Sequence, residues 1–260
     1  MRMTDTNPDP LPPRFLAWEA CLNTRDLGGL LTCSGQAIRW KALVRSENTA
    51  NLTLAGRQAV VDYGIRTVID LRFPGELLDS PSPFAAPQDA PGQDSPDYLN
   101  IPLDADQDLV WPNEFTPAQA MCDLYVRLLE TNRRHVAAVL TAVARARPGG
   151  VLFHCHAGKD RTGLVSAVLL ALAGVPEEYI VEDYAVTYLR LEQRRLELLN
   201  QPDLTPQKRA YLDVLTRHMP ETMHLTLAYL NQRYGSVEGY LRSASFSLED
   251  QSRLCARLLA

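Results

Sequence analysis

The order of predicted elements makes this an α/β chain, with a mainly parallel central sheet flanked by helices and additional helices toward the C-terminus. Three observations carry that expectation. The run Arg66-Thr-Val-Ile-Asp-Leu71, bounded by Gly64 and Pro74, is short and rich in β-branched residues, as suits a strand buried on both faces. A second such run, Val151-Leu-Phe-His154, follows the break Pro148-Gly149-Gly150 and leads through a short loop into an apolar helix. From residue 177 onward the apolar spacing is mostly helical, with turns around Gln201-Pro-Asp203 and Tyr234-Gly235.

Taken in order, residues 1–13 form a proline-rich arm with little to bury, expected to be disordered, and 14–260 form a single domain. Residues 36–46 suggest a strand ending at Arg45-Ser46, and a helix follows over about 53–63. The five prolines between Ser80 and Pro96, without hydrophobic periodicity, mark an exposed loop, and another strand is expected between Tyr98 and Leu103. Thr116-Pro117 reads as an N-cap with proline at the first helical position, and Met121, Leu124, Tyr125 and Leu128 recur at helical spacing over about 117–130. A second helix covers about 133–146.

Composition narrows the function. A net charge of -5 and an isoelectric point near 5.6 argue against a general electrostatic grip on nucleic acid. Cysteines at 21, 33, 122, 155 and 255 contain no C-x-x-C pair, and their odd number suits a reducing compartment better than a disulfide framework. The N-terminus lacks the basic start and apolar run of a signal peptide, and no stretch reaches the ~20 apolar residues of a membrane span. A cytoplasmic protein without an integral membrane segment is expected.

The chemistry concentrates in His154-Cys-His-Ala-Gly-Lys-Asp-Arg-Thr-Gly163. A cysteine and an arginine separated by five residues, between a strand and a helix, can curl around one phosphate. Backbone N–H groups of His156, Ala157, Gly158, Lys159, Asp160 and Arg161 can then point inward, and the helix adds its positive end. Such a nest favours a thiolate as it favours phosphate, so Cys155 is the expected nucleophile. Arg161 supplies a planar fork for two equatorial phosphoryl oxygens. Thr162 could hydrogen-bond the sulfur as it leaves, and His154 could orient the loop through a ring N–H. A lone buried cysteine and a Gly-Lys turn would be the bland reading of these residues; the ten-residue constellation outweighs it. A nucleotide-binding loop is set aside because Asp160 follows Gly158-Lys159, and Phe153 stands where the first glycine belongs.

HCHAGKDRTG resembles the signature loop of the cysteine-dependent phosphatase superfamily, H-C-x5-R-[ST]. Its Gly-Lys-Asp-Arg variant is similar to the bacterial atypical branch that acts on phosphotyrosine proteins and phosphoinositides. Asn23-Thr-Arg-Asp-Leu-Gly-Gly29, Val44-Arg-Ser46, Gly64-Ile-Arg-Thr-Val-Ile-Asp-Leu-Arg72 with Glu76, and Tyr234-Gly-Ser-Val-Glu-Gly-Tyr240 look like that branch's motifs, in its order. The resemblance spans roughly residues 15–258. It implies a cysteine-phosphatase-like fold, a phosphotyrosine or phosphoinositide substrate, and neither cofactor nor metal.

A proton donor for the leaving oxygen is also needed. Tyrosine phosphatases usually carry it in a Trp-Pro-Asp context; here Trp111-Pro112-Asn113 has no acid at its third position. Asp160 is the first candidate. Asp70 follows, as a residue that could stand at the cleft end of a strand or simply pair with Arg72, and Asp26 is third, as a residue that more often braces a turn. Lys159 is expected to bring positive charge to the pocket mouth. Arg190, Arg194 and Arg195 read as a solvated helix face, although a basic lid is the alternative. His218 and His224 have no metal-ligand pattern around them, and Cys21, Cys33, Cys122 and Cys255 read as structural. Two other functions compete: a rhodanese-like sulfurtransferase, whose loop does not require Asp-Arg-Thr-Gly, and a non-catalytic phosphate-binding module, which would commonly lack Cys155 or Arg161.

Overall fold

A computed structural model describes residues 14–85, 95–103, 116–217 and 219–259. The N-terminal arm, Trp111-Pro112-Asn113, His218 and most of the proline-rich loop lie outside the described residues.

Five strands, β1 (Arg25–Asp26), β2 (Leu43–Ser46), β3 (Ile65–Asp70), β4 (Asp97–Asn100) and β5 (Gly150–His154), form one sheet in the order β1-β2-β5-β3-β4. Every pairing is parallel except β1 with β2. Alternation along β5 explains its central place: Val151 and Phe153 join Leu43 and Ile69 in a large core on one face, while Leu152 joins Val44 and Val68 in a smaller core on the other.

The small core is covered by α1 (Leu54–Tyr63) through Val60, together with Trp18, Leu52 and Phe84. Thr53 caps α1 by accepting the Gly56 N–H, and Gly64 ends it at φ +100°. A short helix, α2 (Pro74–Asp79), follows β3. The large core is built by α3 (Pro117–Thr131), α4 (Arg133–Arg145), α5 (Asp160–Leu172), α6 (Glu177–Leu199), α8 (Pro220–Tyr234), α9 (Val237–Ser243) and α10 (Leu248–Leu258). Between α6 and α8, helix α7 (Pro206–Thr216) has no fully buried residue. The α5 segment is apolar nearly all round because its whole circumference is enclosed, with ten of its residues from Thr162 to Leu172 buried. No helix among the described residues is long and apolar enough to cross a membrane.

The architecture is the α/β arrangement expected, with two local departures. The strand expected over 36–46 is confined to 43–46, because Lys41 adopts φ +63° and its N–H turns to the Asp26 carboxylate. Helix α2 is the second departure: Pro74 reads in the sequence as the end of a strand, yet it occupies the first turn of a helix whose Glu76 carboxylate accepts the Phe73 N–H.

A buried ion cluster ties these layers together. Asp183 of α6 takes Arg25 Nε at 3.0 Å and Arg45 Nη1 at 2.7 Å, and it also accepts from Arg14. Burial alone would raise the Asp183 carboxyl, but the guanidiniums of Arg25, Arg45 and Arg14 outweigh it and hold the group well below the usual carboxylate range. Removing the charge strands two buried cations. Asp183→Asn is therefore expected to cost about 3–5 kcal/mol in urea unfolding at pH 7. Because the folded value is depressed, the contribution is present above the unfolded value of about 3.9 and is lost as pH falls below it. The acid limb of stability below about pH 4 should thus be steeper in the native chain than in Asp183→Asn, and equal slopes would contradict the assignment.

Candidate active site

Strand β5 delivers Cys155 at its carboxyl end, flanked by the ends of β2 and β3, and the chain reaches α5 within five residues. The enclosed loop is held from outside by its carbonyl oxygens. Asn48 N–H donates to His156 O at 2.9 Å, Asn23 Nδ2 to Ala157 O at 3.0 Å and to Gly158 O at 3.1 Å, and Arg45 Nη2 to Gly158 O at 2.8 Å. In a trans peptide the N–H points opposite to the C=O, so the N–H groups of Ala157, Gly158 and Lys159 turn inward. Among the described residues these N–H groups have no protein acceptor. The result is a concave array of donors around a buried cysteine, able to hold an oxyanion.

Gly158 makes the curvature possible. It sits at φ +67°, and a Cβ there would lie 2.5 Å from the Ser46 carbonyl oxygen. Gly163 plays a different part, since its missing side chain leaves room for the Tyr184 ring, 3.1 Å from where a Cβ would be.

Arg161 is aimed by α2. Its Nη1 and Nη2 meet the Glu76 carboxylate at 2.5 and 2.8 Å, and the guanidinium lies 5.8 Å from the Phe73 ring centre. Burial opposes ionisation of Glu76, but the Arg161 contacts prevail and keep its carboxyl below the usual range. Glu76 is quoted in the sequence motif without a role; the short helix that presents it is what sequence reading missed.

His154 is fully buried. Its Nδ1–H donates to Cys155 O at 3.0 Å, and Nε2 lies 3.3 Å from Thr49 Oγ1 and 3.5 Å from Asp70 Oδ2. Burial is the main reason that its imidazole is held below its ordinary value, in the neutral form. Thr162 is also buried, and its hydroxyl has no hydrogen-bond partner among the described residues.

The three candidate acids occupy different surroundings. Asp160 lines the cavity beside Cys155 and Arg161, and its Oδ1 accepts the Tyr125 phenol. Asp70 is buried and absent from the lining; Arg72 grips it through Nε at 3.0 Å and Nη2 at 2.7 Å, and Tyr98 donates to it at 3.0 Å. Burial alone would raise its carboxyl, but Arg72 outweighs this and lowers it. Asp26 stands apart from the loop, accepting from Gly28 N, Lys41 N and the Tyr63 hydroxyl, so it braces a turn. Lys159 lines the cavity but is largely enclosed: it is 3% exposed, donates to Leu215 O at 2.6 Å and lies 3.3 Å from Asp160 Oδ1.

The cavity above the loop holds about 430 Å³. Its floor is Cys155, His156 and Ala157, one wall is Glu47, Asn48 and Asn51, and α6 and α7 supply Leu191, Leu198 and Leu215 opposite. Arg194 and Arg195 also line it, in place of the solvated face expected, but both are paired: Arg194 with Glu47, Arg195 with Glu192 and Asp213. Arg190 instead donates to Leu22 O and packs over Phe15. No local pattern in the sequence marks Asn23 and Arg45 as site residues, because their contacts to the loop join segments more than a hundred residues apart; Glu47, which lines the cavity, meets Asn23 and Arg194 rather than the loop.

Comparison with known proteins is consistent with this geometry. A model of the tyrosine phosphatase family matches residues 16–260. Over 232 residues the chain is 32% identical to a tyrosine-protein phosphatase of Nostoc commune, covering 87% of this chain and 77% of that protein. It is 29% identical over 281 residues to PtpB of Mycobacterium tuberculosis, named a triple specificity protein phosphatase, covering 91% and 96%. Among solved structures, Pseudomonas aeruginosa TpbA aligns over 90% of this chain and all of its own at 14% identity, with a TM-score of 0.36 that adds nothing to the assignment.

A substitution at Gly158 tests how the loop is held. Gly158→Ala places a side chain at positive φ, which costs about 1–2 kcal/mol, and drives it into the Ser46 carbonyl. The dissociation constant for tungstate, an inert oxyanion, should rise at least about tenfold by titration calorimetry. An unchanged constant would mean that the inward N–H array is not what binds.

Proposed function

The chain belongs to the tyrosine phosphatase family, and from that premise we propose that it hydrolyses phosphotyrosine in proteins through a phosphocysteine on Cys155. The observation that carries the proposal is the outward tethering of the His156, Ala157 and Gly158 carbonyls, which leaves inward N–H groups and the braced Arg161 fork around one buried sulfur.

In the first step the Cys155 thiolate attacks phosphorus, the S–P bond forms and the bond to the tyrosyl oxygen breaks. Asp160 gives its proton to that oxygen. Loop N–H groups and the Arg161 fork hold the equatorial oxygens, where charge must be stabilised without rearrangement. In the second step Asp160 takes a proton from water, the new O–P bond forms, and the S–P bond breaks to release phosphate and thiolate. The buried Thr162 hydroxyl makes no hydrogen bond to Cys155 among the described residues, so it would have to turn toward the sulfur to assist its departure.

Asp160 fits the acid role better than Asp70, because it lines the cavity while Asp70 is sealed beneath and held ionised by Arg72. Phosphotyrosine fits better than a phosphoinositide. A headgroup with a second phosphate needs a second cation, whereas Lys159, Arg194 and Arg195 are already engaged by Leu215 O, Glu47 and Asp213. Leu191, Leu198 and Leu215 offer an apolar wall to a ring instead.

Two measurements test this. Cys155→Ser should abolish p-nitrophenyl phosphate turnover while tungstate still binds, vanadate should inhibit and EDTA should not; an active serine variant or a metal requirement would refute the cysteine mechanism. In kcat/KM, a phosphotyrosine peptide should exceed a soluble phosphoinositide by at least about tenfold, the worth of one charge-assisted contact. A preference for the lipid headgroup would reverse the substrate assignment.

A further inference from the structure

Beneath the catalytic loop, two buried tyrosines from separate helices converge on Asp160. Tyr125 of α3 donates its hydroxyl to Asp160 Oδ1 at 2.5 Å, and the oxygens of Tyr125 and Tyr184 lie 2.8 Å apart. A phenol carries one proton. Tyr125 commits its proton to the carboxylate, so it must accept from Tyr184, and donation runs in one direction from Tyr184 through Tyr125 to Asp160.

The pair is fully enclosed, with the two rings edge to face at a centre distance of 6.2 Å. Burying hydroxyls is unfavourable unless each finds a partner, and phenylalanine would fill the same space without that demand. Outside the pair, the only acceptor of either hydroxyl among the described residues is Asp160. Burial first, and the Asp160 charge second, push both phenols above their ordinary value, so they remain donors across the pH range of the folded protein.

The two carboxylate oxygens are thereby made unequal. Oδ1 faces Tyr125 and, at 3.3 Å, the Lys159 ammonium, whereas Oδ2 receives no donor among the described residues. We infer that Tyr125, braced by Tyr184, is a positioning residue for proton transfer: it occupies Oδ1 and leaves Oδ2 to carry the proton delivered to the departing oxygen. When that proton leaves, the negative charge that develops on the carboxylate is met by hydrogen bonds already in place. Gly163 belongs to the same device, since any side chain there would press on Tyr184. The inference rests on Asp160 as the general acid.

The test compares kcat on phenyl phosphate, a poor leaving group, with kcat on p-nitrophenyl phosphate, which needs little protonation, for the wild type, Tyr125→Phe, Asp160→Asn and the double variant. Tyr125→Phe should lower phenyl phosphate turnover about 10- to 30-fold and p-nitrophenyl phosphate turnover by less than about threefold, with KM unchanged. The double variant should be no worse than Asp160→Asn, because the phenol acts only through that carboxyl. Equal losses on both substrates, or losses that multiply in the double variant, would reduce Tyr125 to a packing residue and overturn the inference. Asp160→Asn itself without a leaving-group contrast would instead remove the acid assignment, and the inference with it. Should Tyr125→Phe fail to fold, Tyr184→Phe removes the brace alone; a contrast of about threefold is expected there, and no contrast overturns the inference.

Discussion

The carboxylate of Asp183, shared between Arg25 and Arg45, is the constraint on which the site depends. It joins α6 to β1 and β2, and the same guanidiniums continue to the catalytic loop: Arg45 reaches Gly158 O directly, and Arg25 orients Asn23, which holds Ala157 O and Gly158 O. One carboxylate does not neutralise the cations around it. Burial, and then the neighbouring Arg45, lower Arg25 to about 10, which still leaves it charged at neutral pH. Positive charge is therefore fixed behind the loop, where the low dielectric of the interior extends its influence toward the anion that the loop is shaped to hold.

How much of this was legible in the sequence depended on distance along the chain. The loop could be read because Cys155 and Arg161 lie within one turn and a helix of each other, and β3, β5, α3 and α4 could be read from apolar periodicity and capping residues. The roles of the residues that hold the loop could not. Glu76, Asn23, Arg45, Asp183 and Tyr125 come from elements that only tertiary folding brings together, and no local pattern distinguishes a tyrosine that supports Asp160 from one that fills a core. The confinement of β2 had a different cause, a single left-handed residue at Lys41 that side-chain patterning does not reveal.

The aspartates show why residue type alone underdetermines role. Asp26, Asp70 and Asp160 all stand near the ends of strands or helices, and each is hydrogen-bonded, yet the donors differ in kind. Asp26 receives two backbone N–H groups and a phenol, so its place is structural; Asp70 receives a guanidinium in a sealed setting that favours permanent ionisation. Only Asp160 combines neutral donation from Tyr125 with an opening to the cavity.

The outward tethering of the loop carbonyls also bears on whether this ten-residue segment is a portable module. Its shape is stored less in its own sequence than in Asn23, Arg45 and Asn48, and in the backbone of Ser46 that Gly158 touches. Grafted alone onto the end of a strand in another α/β scaffold, the segment would have no donors to hold its carbonyl oxygens outward and would relax toward an ordinary turn. A transplant that carried the neighbouring strand β2 and the Asn23 segment with it would bring the mould as well as the cast.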